Sequence, residues 1–512
     1  MNRRSLALAA ASGLLLAAAF PSFNLSYLAW IALVPLFLAL AGQTVKNGFL
    51  LGGLAGLVFF AGTVHWVTNS VHFYGGIPVI PASLITLLLC LYLALYPALF
   101  GAALARQGTE RFPWFFVSAP ALWTALELTR TYIFSGFPWS LLGYSQYRVL
   151  PVIQMADLTG VYGVSFLIVM VNAALAGFII DRKKFYGLIV AVLTMVVVVT
   201  YGYLRLDARD DTTGKITVTV VQGNIDQDKK WDPAFQSEVI SIYKRLTREA
   251  LKQHTELVIW PETTTPFYFT GSGAADRALT ADLIAFAGSS NVPLLFGSPT
   301  YERGPDRTIR LSNSAFLLTP RGKIDAVYHK LHLVPFGEYV PLKSVLFFVD
   351  KMVQAIGDFQ AGNEYTVMTV PARGANVTLS TVICYEIIFP DLVRRFVDNG
   401  ASVITTITND AWFGRTAAPY QHFSMAVFRA VENRVPVARA ANTGISGFID
   451  SKGNILETSA IFTEACLTRA IAPGGKKTFY TAHGDLFAYA CLAISLLLLA
   501  MRQGKNLPGN KR

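Results

Sequence analysis

Three short stretches carry the residue types of nucleophilic acyl chemistry: Leu379-Ser380-Thr381-Val382-Ile383-Cys384-Tyr385-Glu386, Val258-Ile259-Trp260-Pro261-Glu262 and Tyr328-His329-Lys330-Leu331-His332. In the first, an apolar, β-branched run ends abruptly in a cysteine. That is how a buried strand delivers a nucleophile to the edge of a sheet. A thiol becomes a competent nucleophile only beside a base or a cation, so its partners decide. Glu262, after a strand and a proline, is suited to take the thiol proton and later to activate an incoming nucleophile. Lys330 is suited to lower the thiol pKa and to hold a tetrahedral oxyanion. Each has an ordinary alternative when taken alone. Cys384 is then a buried thiol or a disulfide partner of Cys466, Glu262 a turn or N-cap acid, and Lys330 a surface strand lysine. His329 and His332 read as structural.

These residues need strands to hold them. The block 213–472 alternates β-branched runs of strand length (Lys215–Gln222, Leu257–Trp260, Val292–Gly297, Ser314–Thr319, Val377–Ile383 and Val403–Ile407) with helical segments at Pro233–His254, Ala274–Ser289 and Gln421–Arg434. Such alternation predicts an α/β domain with helices covering a sheet.

The rest of the chain is of another kind. Of 512 residues, 53% are hydrophobic and only 15% charged, with a mean hydropathy of +0.44. Soluble domains carry roughly 25% charged residues, so this balance points to a bilayer. Apolar runs near 5–22, 27–42, 48–66, 77–105, 112–129, 156–180, 185–204 and 484–501 approach the roughly 20 residues that a spanning helix needs. The expected division is therefore a transmembrane domain at 1–204, the α/β domain at 213–472 and a last transmembrane helix at 484–501. The first run, with Arg3, Arg4 and Ala17-Ala18-Ala19, also fits a signal peptide; retention is favoured because no polar mature segment follows it.

The net charge of +11 is topological. Between 205 and 480, 29 Lys and Arg face 27 Asp and Glu, and 14 further basic residues flank the apolar runs. If eight helices alternate, all of these except Arg130 and Arg148 fall on one side. The distribution predicts cytoplasmic termini, an extracytoplasmic α/β domain and no nucleic-acid partner. No CxxC or Cys/His cluster occurs, so neither a metal nor another cofactor is expected.

Glu, Lys and Cys on three strand ends, in Trp-Pro-Glu and Cys-Tyr-Glu contexts, closely resemble the nitrilase (carbon–nitrogen hydrolase) superfamily. That resemblance implies a stacked α-β-β-α sandwich and a Glu262-Lys330-Cys384 triad. The likeness extends over nearly the whole chain. Eight apolar runs around such a domain, Gln222-Gly223-Asn224, Lys230-Trp231-Asp232, His332–Gly337-Glu338, Asn409-Asp410-Ala411-Trp412-Phe413-Gly414, Gly136-Phe137-Pro138-Trp139 and Gly143-Tyr144-Ser145-Gln146 resemble the bacterial apolipoprotein N-acyltransferase family.

The resemblance implies acyl transfer through a Cys384 thioester, from a phospholipid such as phosphatidylethanolamine to the α-amino group of a diacylglyceryl-cysteine on an apolipoprotein. It further implies a monomeric, multi-pass protein of the bacterial inner membrane with its catalytic domain on the periplasmic side. Glu338 and Glu386 are expected to orient Lys330 or the substrate amine, and Trp231, Tyr385 and Trp412 to lie near the site. Two apolar loop stretches, Pro266–Gly271 and Val345–Val349, are expected to be lids that dip into the outer leaflet. His65-Trp66, His72–Gly76, Glu127, Arg130, Gly136–Trp139 and Asp157, at outer helix ends, read either as an aromatic belt with snorkelling charges or as a headgroup lining. A membrane-anchored amidase, a lipid-binding receptor and a transporter are the competing readings.

Overall fold

In the computed structural model, the structure describes residues 1–108, 114–208, 214–230, 232–303, 309–339, 359–372 and 375–504. It divides into two compact units, one of Met1–Ala208, Thr416–Ser424 and His483–Arg512 and one of Arg209–Arg415 and Met425–Ala482.

The first unit is helical, and each of the eight apolar runs has a helical counterpart. Among the described residues, four helices are long and apolar enough to cross a membrane: Val45–Val64, Val79–Gln107, Val161–Ile180 and Arg182–Asp207. The 27–42 run is broken into Ser26–Trp30 and Val34–Leu40, and Pro35 stands in the first turn of the second piece. A proline has no N–H to give and suits a helix start rather than a helix interior.

Much of the polar cluster in this unit is packed as structure, not as an open lining. Gln421 uses all its hydrogen-bonding capacity. Its Oε1 accepts from Trp66 Nε1 (3.2 Å) and Trp139 Nε1 (2.7 Å), and its Nε2 donates to the Pro21 and Thr63 carbonyls. Glu127 accepts from Trp123 Nε1 and Leu142 N, and Arg130 donates to the Phe137 and Trp139 carbonyls. Asp157 pairs with Arg205 at 3.0 Å. Buried polar groups survive in an apolar setting only when partnered in this way. Phe73, by contrast, remains exposed.

The second unit stacks two six-stranded sheets. One runs β12-β1-β2-β3-β4-β5, the other β11-β10-β9-β8-β7-β6. The strands are β1 Ile216–Gln222, β2 Leu257–Ile259, β3 Leu294–Arg303, β4 Ile309–Leu318, β5 Ile324–His329, β6 Met368–Ala372, β7 Ala375–Ile383, β8 Val403–Thr408, β9 Val437–Ala441, β10 Gly447–Ile449, β11 Ile455–Thr458 and β12 Ala465–Ile471. Strands β1-β2-β3 and β7-β8-β9 are parallel, and the outer strands are antiparallel. Helices Gln236–Ala250 and Ala274–Ser290 cover the first sheet through Ile240, Tyr243, Leu283 and Phe286, packed on Val258, Trp260 and Phe296. Helix Pro390–Asp398 packs beside β7 in the second sheet. The layering is the expected α-β-β-α sandwich.

One expected lid is part of this core. Phe267 and Phe269 are buried, and the Phe269 ring lies 4.9 Å from Phe296 and 5.0 Å from Phe316. The apolar character of Pro266–Gly271 is thus consumed by packing against β3 and β4. The second expected lid, Val345–Val349, lies outside the described residues.

Candidate active site

The carboxyl ends of three strands collect the site. Glu262 follows β2, Lys330 follows β5, and Cys384 is the first residue after β7. All three side chains are buried. Cys384 has φ +52° and opens a tight turn, Cys384–Ile388. A non-glycine residue held in the left-handed region costs on the order of 1–3 kcal/mol and typically marks a site where one atom must be presented.

Glu262 is fixed from several sides. Its Oε1 accepts from Asn313 Nδ2 (2.7 Å) and stands 3.8 Å from Lys330 Nζ; its Oε2 accepts the Asn409 N–H (2.9 Å). Behind it β3 leaves no room. A Cβ added to Gly297 would lie 2.6 Å from Thr263 N and 2.7 Å from Glu262 Cα, which is why this strand passes the site with a glycine.

Lys330 Nζ donates to Glu338 Oε1 at 2.9 Å, and its backbone is held by Asn313 O and Gly362 N. Asn313 Nδ2 also donates to Glu338 Oε1, so one amide bridges both carboxylates. Burial by itself depresses the Lys330 ammonium. The carboxylates of Glu338 and Glu262, with Cys384 and Glu386, outweigh burial and hold it above the ordinary lysine range. For Cys384, burial and the nearby Glu262 charge push the thiol up, against the opposing pull of Lys330. That direction favours the neutral thiol, a form that attacks only when a base takes its proton.

Glu386 bonds the backbone on either side of the site. Its Oε1 accepts from Tyr328 Oη, Leu331 N and His332 N, and its Oε2 from Ile383 N at 2.6 Å. It therefore clamps the chain beside Lys330 to the chain before Cys384, and does not bond to the Lys330 ammonium itself. Burial raises its carboxyl to about 7, while Lys330 and these donors pull the other way. Glu338 does bond to Lys330. Tyr385 packs its ring 5.1 Å from Phe389, within a cluster that His332 completes. Trp412 is half-buried on the turn that follows Asn409, and Trp231 lies outside the described residues.

Sequence reasoning missed Asn313 and Asn409 as partners of the Glu262 carboxylate. Asn409 lies in a motif noted above. Asn313 is one polar residue in a strand, with no local signal to distinguish it.

Residues 12–174 match the family described as the apolipoprotein N-acyltransferase N-terminal domain, and residues 217–476 match the carbon–nitrogen hydrolase family. The apolipoprotein N-acyltransferase of Geobacter metallireducens is 43% identical over 507 residues, covering 98% of this chain and 95% of that protein. That of Pasteurella multocida is 33% identical, covering 96% of this chain and 93% of the relative. Among solved structures, an amidase from Nesterenkonia sp. aligns at 18% identity with a TM-score of 0.38, covering 55% of this chain and 98% of that one.

Proposed function

The chain belongs to the apolipoprotein N-acyltransferase family, and from that premise we propose that it moves an acyl chain from a phospholipid to an apolipoprotein through a thioester on Cys384. The observation that carries the assignment of residues is the convergence of Glu262, Lys330 and Cys384 at strand ends, with Glu262 hydrogen-bonded and 3.8 Å from Lys330.

In the first half-reaction Cys384 Sγ attacks the ester carbonyl as its proton passes to Glu262. The tetrahedral oxyanion is steadied by Lys330 and a backbone N–H near Tyr385. Collapse expels the lysophospholipid alkoxide, which takes the proton from Glu262, and leaves an acyl thioester. In the second half-reaction the α-amino group of an S-diacylglyceryl-cysteine attacks the thioester and gives its proton to Glu262. Cys384 departs and is reprotonated. Splitting the transfer suits the chemistry, because a thioester is attacked by an amine more readily than the parent ester.

The donor fits phosphatidylethanolamine as a membrane phospholipid, and the acceptor a diacylated apolipoprotein. The enzyme would act as a single copy in the bacterial inner membrane, with eight spans, both termini cytoplasmic and the sandwich on the periplasmic side. The asymmetry of Lys and Arg about the apolar runs supports that orientation.

Intact-protein mass spectrometry of the purified enzyme, incubated with phospholipid, tests the proposal. A fatty-acyl adduct should form on the native protein, be absent in Cys384→Ala, and discharge on addition of a diacylglyceryl-cysteine peptide. Release of free fatty acid with no amide product would overturn transfer in favour of hydrolysis.

A further inference from the structure

Lys230 is a second buried lysine beside the proposed base, and the reaction scheme above leaves it without a task. It ends the short helix Gln227–Lys230, and its side chain is 1% exposed. Its Nζ donates to the backbone carbonyl of Glu262 at 3.2 Å, and among the described residues no carboxylate pairs with it. A buried ammonium without a counter-ion is expensive, so a fold that keeps one is using its charge.

A count of charges shows the use. Glu262 and Glu338 bring two negative charges, and Lys330 alone brings one positive charge to face both, at 3.8 and 2.9 Å. Asp410, the next acid, is matched by Arg439 at 2.8 Å, both fully buried. Glu386 is spoken for by three backbone N–H groups and a tyrosine hydroxyl. Cys384 is a neutral thiol. Without Lys230 these two buried carboxylates would face a single positive charge between them. Burial lowers the Lys230 amine to about 8, with Glu262 and Cys384 acting to raise it, so those two groups are the ones that feel its charge.

We propose that Lys230 is a positioning residue for Glu262: its ammonium supplies the site's second buried positive charge and ties down the Glu262 carbonyl, keeping the carboxylate ionised and aimed. This rests on the reading of Glu262 as the base of acyl transfer. The backbone tie acts on a strained point, since Thr263, the next residue, has φ +49°.

Three variants of the full-length enzyme separate charge from tie. Lys230→Arg keeps both, Lys230→Gln keeps a donor without charge, and Lys230→Met keeps neither. The measurement is the rate of Cys384 thioester formation from phospholipid against pH. The acidic limb should move up by about one pH unit in the Gln and Met variants, lowering the rate below the native limb about tenfold. The Arg variant should keep the native limb. A uniform loss of rate in the Gln variant with an unmoved limb overturns the proposal and leaves Lys230 a merely structural role. Native enzyme that forms no Cys384 thioester refutes the acyl-transfer reading instead. Lys230 is then judged by iodoacetamide alkylation of Cys384, which slows in the Gln variant when the charge bears on the site and stays native when it does not.

Discussion

Replacing Glu338 by Gln should slow acylation of Cys384 while making the thiol easier to alkylate. Glu338 Oε1 lies 2.9 Å from Lys330 Nζ, whereas Glu262 Oε1 lies 3.8 Å away. At an effective dielectric near 20 the two attractions are about 6 and about 4 kcal/mol. The nearer carboxylate therefore holds the ammonium more tightly than Glu262 does. In Glu338→Gln the larger attraction becomes a neutral hydrogen bond, and the ammonium is drawn toward Glu262. An amide also cannot accept at both ends. Either the Lys330 and Asn313 donors or the Val334 N–H, 2.8 Å from Oε2, loses its acceptor. A closer cation lowers a carboxyl pKa by about 1–3 units, so the base weakens and thioester formation should fall by roughly a hundredfold. Removing one buried negative charge while keeping the Lys330 cation favours the thiolate, so alkylation by iodoacetamide should quicken. Rapid-quench mass spectrometry reads the first rate and peptide mass mapping the second. Acylation within about threefold of native, or alkylation that falls in parallel, would refute this electrostatic division of labour.

Two further substitutions test the same site from other directions. Glu262→Gln should abolish acyl transfer yet speed alkylation of Cys384 at a pH of about 9, because it removes the negative charge that holds the thiol up; alkylation slower than native would contradict that sign. Glu386→Ala should destabilise the sandwich rather than act on the chemistry alone, since it strands the His332 and Ile383 N–H groups and the Tyr328 hydroxyl and leaves Leu331 N only its longer bond to Tyr328 Oη, 3.3 Å. At roughly 1–3 kcal/mol for each stranded donor, the loss should show as a melting temperature lower by about 10 °C, and an unchanged melting curve would sink the clamp.

What could be read in advance was what neighbours in sequence determine. A β-branched run ending in Cys384, or a strand, proline and Glu262, is a local pattern, and β2, β7 and β8 follow from it. The partition of Glu338 and Glu386 was not local. Both are expected to orient Lys330 or the substrate amine; Glu338 bonds the ammonium, whereas the Cys384 turn aims Glu386 at three backbone amides. Pro266–Gly271 misled for a related reason. An aromatic loop looks alike whether a bilayer or a sheet covers it, and only the arrival of Phe296 and Phe316 makes it core. Trp66 and Trp139 read as a belt or a headgroup lining for the same reason, because Gln421, which accepts from both, lies far away in the chain.

The elevated thiol also bears on how two substrates can take turns. In the proposed cycle Cys384 is both attacking and leaving group, and a thiol of high pKa is a sluggish leaving group. A thioester on such a sulfur waits. Water attacks it slowly, and its collapse depends on Glu262 returning a proton to sulfur. The neutral resting state likewise protects the nucleophile, since the thiolate is the form that oxidises or alkylates. Both properties follow from burial together with the Glu262 charge, which outweigh Lys330. The lysine thus does not chiefly serve to ionise the thiol at rest. In the proposed cycle, held against Glu338, it would keep a positive charge in reserve for the oxyanion of each half-reaction, where that charge would lower the barrier without lowering the ground state.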